Sequence, residues 1–426
     1  MTCVGYPLQV MVVFILKGKA YQYNYDESSL VNIIFRIVYL TISLYLILKK
    51  IFTPKKLSAP IGLIAFILFW LIYSIRLFYD LEIRGLAFMS YSKYYVYSWA
   101  FGCTFLPALA VLLNANKIVI SRFTKYLFLI LLAGNLFIAA SLMNVTPKIF
   151  SGILSSRIQL YEVRIGSTWN YLLNSISISY YGELLCLIAV VFLIVYYKVI
   201  SLKFILLVFF ASILGVFNLL AGASRGPMIF FIFILLLIIV NAGALGFKKL
   251  IRRRYFGLTI ISLIFIIVSV IIGTTVIVRH KLNISNIMIQ NRMSALLELP
   301  VNGKNYDRIY MWESAWQQFK SSPVLGDRFI NNIDKTYSHN IILDSLMSTG
   351  LLGTIPFLFY LAMPFLMFYK LNKTRKRQLL IVFILFLATF MLSMTSGGLF
   401  TVSEFWILSA LIIGLCSSPK TLKLTT

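Results

Sequence analysis

Acid is what this chain lacks most. Its 426 residues hold 13 Asp and Glu against 39 Lys and Arg, and charged side chains of both signs together make up only 12%. Soluble domains carry about a quarter charged residues, so a water-facing surface around most of this chain is excluded. Cysteine is scarce and scattered. Cys3, Cys103, Cys186 and Cys416 lie far apart without CxxC spacing, which argues against a disulfide framework and against a thiolate metal cluster. No Walker-type glycine loop or H-E-x-x-H occurs, so P-loop nucleotide hydrolysis and zinc proteolysis have no support. There is also no repeat of 20 to 50 residues and no low-complexity linker, which removes solenoids and tethered modules.

What is present is hydrocarbon. Hydrophobic residues make up 60% of the chain, and windows of about 20 apolar residues, enough to cross a membrane, recur along it. They fall near 4–16, 28–48, 59–79, 94–113, 124–142, 178–197, 203–221, 226–246, 256–278, 345–369, 378–396 and 398–416. The expected fold is therefore all-α: one polytopic bundle, 1–426, of about twelve transmembrane helices. The first window lacks the basic start and small-residue cleavage site of a removed signal, so a retained span is expected there.

A net charge of +26 raises nucleic acid as a partner, but the location of the charge answers it. "LKKIFTPKKL", "NKIVISRFTK", "YKVISLK", "FKKLIRRRYF", "YKLNKTRKRQ" and "SSPKTLKL" occupy alternate connections, hold more than half of the Lys and Arg and contain no acid. That is the positive-inside pattern. It puts both termini in the cytoplasm and favours contact with anionic membrane lipids. No basic and aromatic soluble domain is left to bind nucleic acid.

Two connections on the opposite side are too long to be turns, at 143–177 and 279–344. Long loops commonly carry function, so the working face is expected there. In the second, "NYDRIYMWESAWQQFKSSPVLG" reads as an amphipathic helix near 307–320. Asp307 can cap it, Ile309, Trp312, Trp316 and Phe319 share a face, and "SSP" stops it. Such a helix can lie at the membrane boundary or pack on the rest of its loop.

Arginine dominates this side: Arg36, Arg76, Arg84, Arg157, Arg164, Arg225, Arg279, Arg292, Arg308 and Arg328. Its planar fork matches phosphate oxygens where lysine offers a point charge. The alternative is ion pairing with Asp80, Glu82, Glu162, Glu183 or Asp307. Arg225 stands out because "LLAGASRGPMIFFIFIL" leaves almost no polar sequence between two spans, and a charge at that depth usually faces a cavity or a partner. Gly222 and Gly226 permit close backbone approach, and Pro227 can open a helix whose amides face an anion. Arg36 and Arg76, inside spans, are secondary candidates for the same cavity. His339 in "TYSHNIILDSLMSTGLLG" has the ordinary pKa best matched to proton transfer, with Asn340 or Asp344 to orient it; a helix cap is the plainer reading. His280, among cations, has the weaker claim. "DLE" at 80–82 could hold a divalent cation, on thin evidence.

Taken together, "GASRGP" at 222–227, "YDRIYMWESAWQQFKSSPVLGDRF" at 306–329 and "SHNIILDSLMSTGLLG" at 338–353 resemble the shared core of bacterial O-antigen polymerases and O-antigen ligases. The order agrees too: Ser-Arg-Gly beside a span, Arg-x-x-x-Trp and Pro-x-x-Gly in a long loop, then His-Asn before a Gly-x-x-Gly helix. The resemblance implies a GT-C-like membrane glycosyltransferase that needs no metal or other cofactor. It would work at the periplasmic face of the bacterial inner membrane on glycans linked to undecaprenyl diphosphate, as both donor and acceptor. It implies that Arg225 and Arg308 hold the diphosphate, that His339 assists the acceptor hydroxyl, and that Trp312 and Trp316 form a lid over the sugars. Arg279 and Asn340 join the candidate substrate contacts. "SSRIQLYEVR", with Arg157, Tyr161 and Arg164, looks like polymerases and would suit a second lipid diphosphate, while the clear His-Asn looks like ligases, which transfer to lipid A core. A polymerase is favoured, with room for a chain-length regulator as partner. A flippase for the same lipid-linked glycans is a further reading.

Overall fold

Inside hydrocarbon every backbone amide must find its partner within the chain, and long apolar runs therefore become helices. The computed structural model describes residues 29–53, 60–89, 91–143, 175–195, 202–222, 224–245, 306–333 and 335–417, with a few isolated positions before residue 16. Among these every regular element is helical.

The helices are α1 (Ser29–Ile51), α2 (Pro60–Phe78), α3 (Lys93–Tyr97), α4 (Leu106–Asn114), α5 (Ile120–Met143), α6 (Ser175–Val195), α7 (Leu202–Gly222), α8 (Arg225–Leu245), α9 (Tyr306–Ser321), α10 (Ile341–Lys370), α11 (Lys373–Ser393) and α12 (Ser403–Cys416). A π-helical turn, Tyr79–Ile83, prolongs α2, and a longer one, Ser98–Phe105, joins α3 to α4. Seven helices among the described residues are long and apolar enough to cross a membrane: Pro60–Ile83, Lys93–Lys117, Ile120–Ser141, Ile176–Leu193, Leu202–Gly222, Ile341–Lys370 and Lys373–Ser393. The protein is polytopic. The expected span at 256–278 and most of the first long loop lie outside the described residues, as does the expected span at 4–16 apart from those isolated positions.

The chain forms two compact units. One comprises Phe35–Ile120 and Asn302–Lys423. Its core is a cluster of rings: Trp406 stacks on Phe69 at 5.4 Å and on Tyr360 at 5.5 Å, and meets Trp70 and Phe66 edge-on at 5.2 and 5.8 Å. Two polar ends inside this cluster are satisfied. The Trp406 indole donates to the Leu399 carbonyl at 2.8 Å, and the Tyr360 hydroxyl meets Ser409 Oγ at 2.9 Å.

The other unit holds Ser121–Val301. Here α6 and α7 touch backbone to backbone, because a Cβ on Gly182 would sit 2.6 Å from the Gly215 carbonyl oxygen. Close approach through small residues compensates for the weak hydrophobic drive between helices in lipid. Buried polar groups tie the helices: Ser179 Oγ of α6 donates to the Leu219 carbonyl of α7 at 3.0 Å, and Asn218 Nδ2 of α7 donates to Asn135 Oδ1 of α5 at 2.7 Å.

Candidate active site

Arg308 sits on the first turn of α9, and His339 lies just before α10. Between them runs 322–340, a loop that would be slack if sequence were the only guide. It is knitted instead into a break in α10. Gly350 has φ 56° and Gly326 has φ 72°, a left-handed conformation that costs glycine little. At Gly350 the helix opens, so that the N–H groups of Leu351 and Leu352 donate to the carbonyls of Pro323 and Val324 at 2.8 and 3.0 Å, and the Asp327 N–H donates to the Met347 carbonyl at 2.8 Å. The two segments lie so close that a Cβ on Gly350 would collide with the Val324 carbonyl, and one on Gly326 with Ser348.

Three further devices hold the loop. The Arg76 guanidinium donates to the carbonyls of Leu325, Gly326 and Asp327 at 2.7, 2.9 and 2.8 Å, and Arg84 donates to the Asp327 carbonyl at 2.6 Å. Asp80, fully buried by the π-turn, accepts from the Phe329 N–H at 2.8 Å and faces Arg76 and Arg84 at 3.7 and 3.5 Å. Finally, α9 turns a polar seam towards the loop. Ser314 Oγ donates to Asn331 Oδ1, Asn331 Nδ2 donates to the Met311 carbonyl, and Gln318 Nε2 donates to the Ile330 carbonyl, at 2.8, 2.8 and 3.1 Å. The apolar stripe read from the sequence faces elsewhere: Ile309 is 50% and Trp316 42% exposed. Trp312 is half-buried, and its indole nitrogen has no hydrogen-bond partner among the described residues.

This scaffold presents His339 on a left-handed residue, φ 61°, buried and edge-on to Tyr337 at 4.7 Å. Its neighbours are spent on holding the backbone. Asp344 accepts from the Ser338 N–H at 2.6 Å and the Leu399 N–H at 3.3 Å, so it positions the chain beside the imidazole. Asn340 caps α10, accepting from the N–H groups of Ile342 and Leu343 at 3.0 and 3.1 Å, and donates to the Met394 carbonyl at 3.3 Å. The cap competes with any substrate contact, because its oxygen already serves two donors.

Electrostatics join Arg308 to His339. Burial pushes the imidazole below its ordinary range to about 4, and the Arg308 charge pushes it the same way. Arg308 keeps access to solvent, and desolvation draws its own pKa down while the Tyr337 phenol opposes that. A neutral imidazole beside a guanidinium is an anion-ready arrangement: one cation to hold negative charge and one base able to take a proton.

The other candidates are dispersed. Arg76 was expected to line a ligand cavity; its donors are instead committed to loop carbonyls, because a turn with three carbonyls facing one way needs a fork of donors. Arg36 donates to Ser98 Oγ at 2.9 Å and lies over the rings of Trp99 and Tyr95 at 4.6 and 5.1 Å. The carboxylates of "DLE" serve separate partners: Asp80 the loop, Glu82 the Lys93 ammonium at 2.6 Å. In the second unit Arg225 opens α8. The preceding Ser224 N–H donates to Ser179 Oγ at 3.1 Å, which ties the Ser-Arg-Gly turn to α6. Glu183, one turn along α6, is fully buried and its carboxyl oxygens have no hydrogen-bond partner among the described residues. Arg157, Tyr161, Arg164 and Arg279 lie outside the described residues. Gln318 and Asn331 escaped the sequence reading, and Asp80 and Arg84 entered it only as an ion-pair or cation ligand and as one of many arginines, since only contacts across long stretches of chain give them their role in holding the loop.

Residues 210–358 match the family model described as O-antigen ligase. The matched stretch, about a third of the chain, contains Arg225, Arg308, the Pro323–Gly326 turn, His339 and Gly350. No curated protein matches the chain, and no solved structure does.

Proposed function

We propose that this membrane protein, which carries an O-antigen ligase family domain at residues 210–358, is a glycosyltransferase that takes its sugar from a polyprenyl diphosphate. The observation that carries the reading is the placement of Arg308 on the first turn of α9 and of the buried His339 just before α10, at the two sides of a loop knitted into the break at Gly350; the Arg308 charge reaches the imidazole from there.

Breaking an anomeric bond to diphosphate moves an electron pair onto a phosphate oxygen. A cation already in place stabilises that charge without reorganising at the moment of reaction, and arginine does so in the two-pronged geometry that phosphate favours. The acceptor hydroxyl oxygen forms the new bond to the anomeric carbon, its proton passes to His339, and the lipid diphosphate departs with the electrons of the broken bond. While Arg308 stands uncompensated, His339 is a weak base. A bound diphosphate offsets that charge and raises the affinity of the imidazole for a proton, so the base strengthens when the donor is present. Arginine here supplies the positive charge that a divalent cation would supply elsewhere, and the reaction is expected to survive chelation. For Arg225, in the second unit, the resemblance implies a diphosphate contact.

The fuller reading is an enzyme of about twelve spans with GT-C-like architecture, in the bacterial inner membrane with its working face periplasmic, using undecaprenyl diphosphate as carrier. The acceptor is a second lipid-linked repeat unit, which makes it a polymerase, and the Arg157, Tyr161 and Arg164 cluster supports this as a place for a second diphosphate. The second reading, a ligase that transfers to lipid A core, draws on the clear His339–Asn340 pair.

Purified protein in liposomes with a synthetic lipid diphosphate repeat unit should build a ladder of longer glycans, unaffected by chelator. Arg308→Ala, Arg225→Ala and His339→Ala, inserted at normal levels, should build none. Wild-type ladders from all three variants would end the proposal, and a ladder only after lipid A core is added would identify the ligase.

A further inference from the structure

From His339 a run of aromatic rings leads away through the first unit. Tyr337 meets the imidazole edge-on at 4.7 Å, Phe88 stacks on Tyr337 at 5.6 Å, and Tyr91 on Phe88 at 6.1 Å. Tyr95 then stacks on Tyr91 at 4.4 Å, and Trp99 meets Tyr95 at 5.8 Å. Three of these, Tyr91, Tyr95 and Trp99, are spaced by four residues and share one face of the segment that becomes α3 and its π-turn. Phe88 is buried and is backed by Phe400 at 5.2 Å; Tyr337, Tyr91, Tyr95 and Trp99 keep part of their surface open, while the Arg36 guanidinium covers one side of Tyr95 and Trp99 at 5.1 and 4.6 Å. The run is seated on backbone. The Trp99 indole donates to the Thr401 carbonyl at 3.1 Å, and Gly398 leaves room for Tyr337, whose Cβ would otherwise lie 2.5 Å from an added methyl.

Rows of interfacial aromatics can also be membrane anchors. Anchors act one by one towards lipid, whereas these rings touch each other in sequence and end on the residue proposed to take the acceptor's proton. A pyranose offers patches of C–H and a rim of hydroxyls. The ring surface that stays open can take the C–H patches and the phenol hydroxyls can take the hydroxyl rim, and stacked tyrosines have little rotamer freedom left to lose on binding.

We propose that Tyr337, Tyr91, Tyr95 and Trp99 form a track that binds the sugars of the acceptor glycan next to the hydroxyl being glycosylated. This rests on the glycosyltransferase reading and adds to it where the acceptor lies. Acceptors that reach further along the track should bind better, so the KM for acceptor should fall as the acceptor lengthens.

The test uses full-length protein in liposomes, synthetic lipid diphosphate repeat unit as donor, and free oligosaccharides of graded length, released by mild acid from the source cells' lipid-linked glycan, as acceptors. Wild type should show falling KM with length. Tyr91→Leu and Tyr95→Leu should each raise the KM for long acceptors about tenfold, the upper range for losing one aromatic contact, while kcat at saturating acceptor and retention of the lipid diphosphate donor are kept. Tyr95→Phe, which keeps the ring, should lose severalfold less and covers the case in which Tyr95→Leu melts early. Variants with wild-type acceptor KM, or with lower kcat at unchanged KM, would overturn the track while leaving the glycosyltransferase standing. No transfer by wild type to any acceptor, including a second lipid-linked unit, would overturn both.

Discussion

At the scale of single residues the informative feature is a conflict between burial and charge. His339 is drawn to about 4 by burial and then by Arg308, far from the value a free imidazole would bring to proton transfer near neutral pH. Its proton affinity should therefore respond to whatever neutralises Arg308. Because the chain has only two histidines, a His280→Gln background leaves one imidazole to observe by carbon-13 NMR. There the His339 midpoint should rise towards its ordinary value when inorganic pyrophosphate is added, and should rise in Arg308→Gln without it. The direction follows because each change removes a charge that disfavours the imidazolium. Burial persists in both, so the rise stops short of the ordinary value, and a midpoint that ignores both changes would disprove the coupling.

The same scale separates side chains that touch ligand from those that hold backbone. Arg76 looked in sequence like a phosphate ligand, and its geometry is that of a brace. Arg76→Lys keeps the charge but cannot span three carbonyls. It should lower the melting temperature and the activity together, with activity and stability both partly recovered on cooling. A pure loss of donor binding at wild-type melting temperature would restore Arg76 to the ligand set.

At the scale of elements, the loop 322–340 and the break in α10 are one construction. A methyl at Gly350 would force a left-handed backbone on an L residue, a strain of roughly 1–3 kcal/mol, and would drive into Val324 besides. Gly350→Ala should therefore cut the yield of folded protein in detergent and lower its melting temperature by several degrees, whereas Leu352→Ala, at an exposed position two residues on, should do little. Equal behaviour of the two would mean that the knit does not organise the site. The sequence showed the motif letters, Pro-x-x-Gly and Gly-x-x-Gly, without their relation. Neither segment has a periodicity that reports the other, and the hydrogen bonds that join them cross about 25 residues of chain.

For the whole molecule, the distribution of basic residues predicts sidedness. With native cysteines replaced, a cysteine at Val324, which is 60% exposed, should react with a membrane-impermeant maleimide from the periplasmic side, and one at Leu371, between α10 and α11, only after the inner membrane is opened. The reverse pattern would invert the topology and move Arg308 and His339 to the cytoplasm.

Much of the architecture was legible along the chain for one reason: hydrocarbon thickness sets a length, and length can be counted in a sequence. The windows 203–221 and 226–246 meet α7 at Leu202–Gly222 and α8 at Arg225–Leu245, and the all-helical, polytopic class follows from composition alone. Which polar residues act on what was a different matter. Asp80 and Phe329, Arg76 and Leu325, Tyr337 and Phe88 lie about 250 residues apart in sequence and in contact in space. One dimension carries hydrophobic period and charge sidedness; only folding in three decides whether a guanidinium meets a carbonyl, a carboxylate or open solvent, because that depends on which neighbours the packed helices leave within reach.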